Sequence, residues 1–279
     1  MEGPIPESLG IIAGRGAYPR LLAEAARREG VRRIFAVAFR WETDPAIGRA
    51  ADEVAWIRLG QLGAMLDAFR RSGIRQAVMA GQIKPTHLFS LAMDRALREL
   101  LARLPERNAH TIFGAVGEEL KRVGVELLPA HLFMESAMPE PGLLGRRPPT
   151  DGERADIELG LKVAKLTSGL EVGQTVVIKN GTILSVEAFE GTDAAILRAG
   201  RLGGPGAVVV KVAKRGHDMR FDIPVVGMHT LRSLRKIRAA VLAVEARRTI
   251  LLEREKVIGE ADRMGLCLTA VTMGGPREA

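Results

Sequence analysis

Three acidic side chains stand close together in "VEAFEGTDAAI", residues 186–196: Glu187, Glu190 and Asp193. Further along, "KVAKRGHDMRFDIP" supplies Lys211 and Lys214, then Asp218, Arg220 and Asp222 alternating with Met219, Phe221 and Ile223. Read as an extended strand stopped by Pro224, this stretch sets two carboxylates and a guanidinium on one face above apolar residues. Such an inventory suits a hard divalent ion and a phosphorylated ligand. Magnesium takes one or two carboxylates and completes its shell with phosphate oxygens, while lysine and arginine meet the remaining charge. An exposed edge strand with an arginine between two aspartates has the same letters. In the first stretch, Thr192 reads as a helix N-cap and Asp193 as a first-turn residue that complements the helix dipole. Glu187 and Glu190 are left without a structural reason.

Two glycine-bearing turns are the other places where chemistry is written locally. In "LGIIAGRGAYP", Gly14 and Gly16 follow a short apolar strand and precede a helix, so the backbone can approach a phosphate at the helix N-terminus. Pro19 stands where the dinucleotide fingerprint has a third glycine, and no acidic residue in a clear context follows about 20 residues on, which disfavours NAD. Nucleotide contact and a plain tight turn both fit. In "AGQIKP", Gly81, Gln82 and Lys84 sit at another strand end, where an amide could read a base or ribose and an ammonium could meet a phosphate; a solvated loop has the same composition. The histidines at 87, 110, 131, 217 and 229 show no zinc-ligand spacing, and neither a Gly-x-Ser-x-Gly elbow nor a Walker lysine loop is present.

The elements that position these groups follow from periodicity. Strand, glycine turn and helix alternate from Leu9 onward: strands at "LGIIA", "RRIFAVAF", "ADEVAWIRL" and "QAVMAG", a helix ending at Gly30, another closed by Gly73, and two amphipathic segments around 91–104 and 111–123. That alternation predicts a Rossmann-like parallel sheet with ligands outside the carboxyl ends of its strands. "MPEPGLLGRRPPTDGE", with four prolines and three glycines, opposes regular structure and marks a connector, which divides the chain into 1–140 and 141–279. The second half reads as mixed α/β: a helix over 151–170, two strands joined by Asn180-Gly181, a helix from Thr192, the strand "AVVVKVA", a basic helix from about Met228, strands "AVLAV" and "RTILL", a helix over 253–264 and a last strand "CLTAV". The basic helix also suits a membrane surface, but its Ala-Val-Leu run favours a buried domain element.

At 279 residues, 47% hydrophobic and 27% charged, the chain is of ordinary globular composition. A single cysteine, Cys267 in an apolar run, excludes a disulfide framework and points to a reducing cytoplasm. A basic start followed by an apolar stretch is missing, and no apolar segment approaches the roughly 20 residues of a membrane span, so the expectation is a protein neither exported nor embedded. The formal net charge of +8 is compatible with an anionic ligand, a membrane surface or nucleic acid, and equally with an arginine-rich genome.

Taken together, "LGIIAGRGAYP", "AGQIKP", "VGQTVVIKNGTILSVEAFEGTDAAIL", "KVAKRGHDMRFDIPVVG" and "VIGEADRMGLCLTAV" resemble the LpxI-type UDP-2,3-diacylglucosamine pyrophosphatases of lipid A biosynthesis. The resemblance covers nearly the whole chain in order, and its specific part is Glu-Gly-Thr-Asp combined with Arg-x-Asp-x-Pro. It implies a Rossmann-like N-terminal half, a C-terminal half of less common topology, and a lipid held in a cleft between them. The reaction it implies is magnesium-dependent hydrolysis of a UDP-linked diacylated glucosamine to UMP and 2,3-diacylglucosamine 1-phosphate. The essential aspartate of the family falls on Asp222, the acidic segment on Glu190 to Asp193, and the paired lysines on Lys211 and Lys214. The chain departs from the family at "NAHTIF", where many members carry adjacent aspartates, and at His217, where glutamine is usual.

On this reading Asp222 is a metal ligand or activates the water, Asp193 and Glu190 assist at the metal, and Lys211, Lys214 and Arg220 stabilise the phosphates. Gly14, Gly16, Gly81, Gln82, Lys84 and Thr192 are the expected substrate contacts. The expected partner is the UDP-sugar lipid rather than nucleic acid, met by transient contact with the cytoplasmic face of the inner membrane; a homodimer is the base-rate expectation. A non-catalytic UDP-sugar-binding regulator and a metal-dependent glycosyltransferase are the alternatives.

Overall fold

A computed structural model describes residues 5–83, 92–214, 220–221 and 223–272. By internal contact the chain divides into two units. The first takes in the chain up to Met134 together with Arg220 and Phe221; the second begins at Glu135.

The first unit is built on β1 (Ser8–Ala13), β2 (Arg33–Phe39), β3 (Glu53–Ile57), β4 (Gln76–Ala80) and β5 (Glu126–Leu127). These form one sheet in the order β3-β2-β1-β4-β5, all parallel. That is the Rossmann order, which reverses between β1 and β4. Beyond a polar first residue in each, the inner strands β1, β2 and β4 are apolar and largely buried, as a helix-covered parallel sheet requires. α1 (Tyr18–Arg28) packs on β1 and β4; α2 (Leu62–Ser72) packs on β2 and β3 beside α3 (Arg95–Ala102) and α4 (Ala109–Arg122). Gly73 ends α2 at φ 71°, the left-handed C-terminal position that glycine supplies without a Cβ penalty.

In the second unit, β6 (Gly142–Leu143), β7 (Thr175–Lys179), β8 (Thr182–Val186), β9 (Val208–Lys211), β11 (Val241–Glu245) and β13 (Cys267–Val271) form a mixed sheet ordered β6-β13-β11-β9-β7-β8. β9, β11 and β13 are parallel, while β6, β7 and β8 add antiparallel edges. β10 (Val225–Val226) and β12 (Ile250–Leu251) make a separate parallel pair.

Period-2 alternation sends neighbouring residues of each strand to opposite layers. Val208, Val210, Val241 and Ala243 pack with α5 (Asp151–Gly169). Val209, Leu242 and Val244 pack with α6 (Thr192–Gly203), α7 (Met228–Ile237) and α8 (Arg254–Arg263). α5 approaches so closely that a Cβ on Gly160 would come within 2.5 Å of Val210. α7 is a domain helix, with Leu231, Leu234 and Ile237 buried in this layer. Asn180 and Gly181 take φ 49° and 74° in the β7–β8 turn, and their amides are held by the buried Asp156 of α5 at 2.8 and 2.7 Å. Cys267 is buried, and burial pushes its thiol up to about 11, so it packs as a small hydrophobe.

Three two-residue strands, β5, β6 and β10, depart from the sequence expectations. The proline- and glycine-rich connector was expected to be irregular, yet Gly142 and Leu143 pair antiparallel with Ala270 and Thr269 as an edge strand, where prolines nearby cost no ladder bond. β5 is likewise only two residues long, too short for any periodicity.

α5 opens with a capping box: Thr150 accepts from the Glu153 amide at 3.3 Å, and Glu153 accepts from the Thr150 amide at 2.8 Å. Partial burial pushes the Glu153 carboxyl up, but the Arg147 guanidinium and the Thr150 amide outweigh it and hold the group below the usual carboxylate range. A lowered folded value means that the stabilisation is present above the unfolded value of about 4.3 and is lost as pH falls through the folded one. In acid titrations followed by circular dichroism, Glu153→Gln is expected to be less stable than the parent at neutral pH, the gap closing at low pH. A gap independent of pH would contradict the charge argument.

Candidate functional site

β9 runs from buried valines into Lys211 at its carboxyl end, and the lysine itself is only 8% exposed. Its Nζ donates to Thr192 Oγ1 at 2.9 Å and to Thr175 Oγ1 at 3.4 Å. Thr175 lies opposite Lys211 because β7 and β9 are antiparallel in that register. Thr192 passes its own proton to Glu187 Oε1 at 2.8 Å, and Glu187 Oε2 is buried with no hydrogen-bond partner among the described residues. Lys211 itself makes no ion pair among the described residues. Lysine is almost never this buried without a counter-charge, so the arrangement is costly until an anion arrives.

Thr192 is not the N-cap that its type and position predict. Gly191 takes that place at φ 82° with no side-chain cap, and Thr192 is the first helical residue. Its hydroxyl is drawn to an ammonium and a carboxylate, both stronger partners than a backbone amide.

The two other acidic residues of the segment have separate partners. Glu190 accepts from Arg198 and from the Ala188 amide, the latter at 3.2 Å. Partial burial raises its carboxyl, but Arg198 and the backbone amides outweigh this and leave it below the usual range. Asp193 pairs with His229 Nδ1 at 2.9 Å and accepts from the buried Ser233 at 2.8 Å, which ties the first turn of α6 to α7. Lys214 differs from Lys211: it meets Glu171 at 2.6 Å. Among the described residues, no three His, Cys, Asp or Glu side chains group closely enough to hold a metal ion.

Between Lys211 and Lys214 the chain is held by a buried ion pair. Lys165 of α5 donates to Glu245 at 2.6 Å and to the Ala213 carbonyl at 2.7 Å, while Glu245 accepts the Ala213 amide at 2.8 Å.

In the first unit, the glycine turns meet each other at the point where the strand order reverses. The Gly14 amide donates to the Ala80 carbonyl at 2.7 Å, and Arg15 and Gln82 exchange backbone bonds at 2.8 and 3.2 Å. A Cβ on Gly14 would lie 2.8 Å from the Gln82 carbonyl, and one on Gly81, at φ 91°, 2.7 Å from that of Arg15. The approach of two backbones therefore requires these glycines. Gly16, at φ 87°, has nothing within 4 Å of its Cβ position.

The strand expected through "DMRFD" is not extended at Arg220 and Phe221, which lie in a turn. Phe221 packs against His110 and Phe113 of α4, each with ring centroids 5.9 Å away, and Arg220 lies 5.8 Å over the Phe221 ring. Aromatic packing overrides the alternating pattern here, and "NAHTIF" supplies that packing. Lys84, Asp218 and Asp222 lie outside the described residues.

Thr175, Arg198 and Ser233 went unread in the sequence, and His229 was read only for zinc-ligand spacing. His229 and Ser233 are four apart on one helix face, a local signal that was available; Thr175 depends on strand register alone.

The LpxI N-terminal domain matches residues 8–137 and the LpxI C-terminal domain residues 140–269. The chain belongs to the LpxI family. A relative from Caulobacter vibrioides (strain ATCC 19089 / CIP 103742 / CB 15), the UDP-2,3-diacylglucosamine pyrophosphatase LpxI, is 33% identical over 276 residues, which is 94% of this chain and 97% of that protein. Among solved structures, N5-carboxyaminoimidazole synthetase from Staphylococcus aureus complexed with ADP is similar at 13% identity and a TM-score of 0.26, over 67% of this chain and 39% of that one. Phosphoribosylglycinamide synthetase from Anaerococcus prevotii gives the same identity and TM-score over 63% and 37%. Likenesses at that level carry no argument. Within the LpxI assignment, the Lys211 cluster lies wholly in the segment matched by the C-terminal domain. Among the described residues no helix is long and apolar enough to cross a membrane.

Proposed function

We propose that the chain hydrolyses the pyrophosphate bond of UDP-2,3-diacylglucosamine, releasing UMP and 2,3-diacylglucosamine 1-phosphate in lipid A biosynthesis. The observation that carries this reading is Lys211: a buried ammonium, held by two hydroxyls and without an ion pair among the described residues, at a strand end beside the N-terminus of α6. Family membership and the pyrophosphatase activity for which the Caulobacter relative is named support it.

Breaking a phosphoanhydride requires that charge on the non-bridging oxygens be met and that a water be oriented. Lys211 meets one phosphoryl group, with Lys214 and Arg220 as further cations. Thr192 keeps the Lys211 ammonium in place and offers its own backbone amide at the positive end of α6. Asp222 holds the metal or activates the water.

Magnesium fits the donor chemistry on a condition set by the structure. Glu190 and Asp193 are already engaged by Arg198, His229 and Ser233, and the described residues contain no three-ligand group. The ion would therefore be held by Asp222 and the oxygens of the substrate itself, with Asp193 and Glu190 joining only by leaving those partners, in keeping with its preference for few carboxylates and many phosphate oxygens. When bound, it supplies charge neutralisation at the pyrophosphate.

The test is direct. Protein mixed with magnesium and UDP-2,3-diacylglucosamine is expected to release UMP, and release is expected to fall below detection in Asp222→Ala. In heavy-oxygen water the label is expected in the lipid 1-phosphate, since the reading has water attacking the sugar-side phosphorus. Label in UMP would overturn that assignment, and tight binding without release would favour a UDP-sugar-binding regulator.

A further inference from the structure

We propose that Glu187 is a positioning residue: through the Thr192 hydroxyl it holds the Lys211 ammonium ready for an anionic ligand without pairing with the lysine itself. The inference rests on the hydrolase reading above. An ammonium has three N–H donors and no acceptor. Those of Lys211 meet Thr192 and Thr175, which leaves one without an acceptor among the described residues. A hydroxyl that accepts from an ammonium points its own O–H away from it, and Thr192 donates that hydrogen to Glu187 Oε1 at 2.8 Å. Donation therefore runs in one order, Lys211 to Thr192 to Glu187, and the Thr192 hydroxyl cannot rotate without breaking it.

The same unit shows the alternative. Lys165 and Lys214 each contact a carboxylate directly at 2.6 Å, at Glu245 and Glu171. A contact of that kind offsets the ammonium's charge directly. Placing the carboxylate one hydroxyl away offsets the buried charge only in part, so more of it stays available to a phosphate oxygen.

Glu187 is clamped for this task. Its amide donates to the Thr175 carbonyl at 2.8 Å, and a Cβ on Gly173 would come within 2.1 Å of its carbonyl oxygen, so only glycine admits this approach. Thr175, the other hydroxyl on Lys211, is thereby tied to the same backbone. Glu187 Oε2 is buried with no hydrogen-bond partner among the described residues, and a carboxylate oxygen so placed costs stability.

The experiment compares the parent protein with Glu187→Ala, Thr192→Val and the double variant. UMP release from UDP-2,3-diacylglucosamine with magnesium, binding of inorganic pyrophosphate by calorimetry, and Tm are measured for each. Each single variant is expected to lose about tenfold in kcat/KM, mostly in kcat, and the double variant no more than either single one, because a relay is broken once. Thr192→Ser, which keeps the hydroxyl, is expected to recover most of the loss. Additive losses of about a hundredfold, or single variants equal to the parent, would overturn the proposal. Where Glu187→Ala does not fold, Glu187→Gln keeps an acceptor for Thr192 and is expected to lose about threefold; no loss there counts against the relay. A parent protein that releases no UMP defeats the hydrolase reading, and pyrophosphate then decides the relay. Binding weakened about tenfold in both single variants supports it; unchanged binding, or none in the parent, overturns it.

Discussion

Lys211→Met is expected to lower kcat/KM for UMP release by about 10²- to 10³-fold while leaving the protein at least as stable as the parent. The two effects have one cause. Lys211 is buried, and among the described residues its ammonium is offset only by two hydroxyls and a carboxylate one hydrogen bond further on. Methionine is of similar length and needs no counter-charge, so the fold gains what the lysine was costing. The site loses the cation that the transition state requires, and the loss is large because a buried donor acts in a low-dielectric setting. Tm by calorimetry and steady-state UMP release check the two halves together. A variant that keeps its activity would remove Lys211 from the mechanism; one that collapses would show that its charge supports the fold rather than the reaction.

The second large effect concerns stability. Lys165→Met is expected to destabilise the protein by about 3–5 kcal/mol, because it leaves Glu245, at the carboxyl end of the interior strand β11, buried without its close partner. For a chain of this size that corresponds to a fall in Tm of about 6–20 °C. Arg248, at 3.8 Å from the other Glu245 oxygen, is half exposed and is a weak substitute. The double variant Lys165→Met with Glu245→Leu is expected to recover much of the loss, since an apolar pair carries no uncompensated charge. Recovery is incomplete because the Ala213 amide and carbonyl, which the pair now satisfies, would be left without partners. That strip of backbone joins Lys211 to Lys214, so activity should fall with Tm in the single variant. Thermal unfolding with UMP release near the parent's rate, measured well below Tm, would show that the pair holds the fold and not the site.

Much of the fold was legible because its causes are local. Apolar runs of strand length, the glycines ending helices and the Asn180-Gly181 turn depend on periodicity and on backbone angles that only a few residues accept. The candidate site was half legible for the same reason. Residue types could be read, and Glu187, Lys211 and Thr192 were each singled out, but their partners could not. Lys211 and Thr175 are 36 positions apart and meet only because β7 enters antiparallel beside β9 in one register. Glu190 and Asp193, three apart, looked like one acidic cluster, yet the start of α6 turns one toward Arg198 and the other toward α7.

By itself, then, the sequence determined the order of elements, the glycine turns at Gly14 and Gly81 and the inventory of charged groups, since each is written within a few neighbouring residues. Only the tertiary structure decided which of the buried lysines 165, 211 and 214 meets no carboxylate among the described residues. Lys165 and Lys214 reach acidic partners 80 and 43 positions away, whereas Lys211 reaches two hydroxyls. Charge compensation depends on which strands and helices lie side by side, and long-range pairing leaves no periodic trace in the chain.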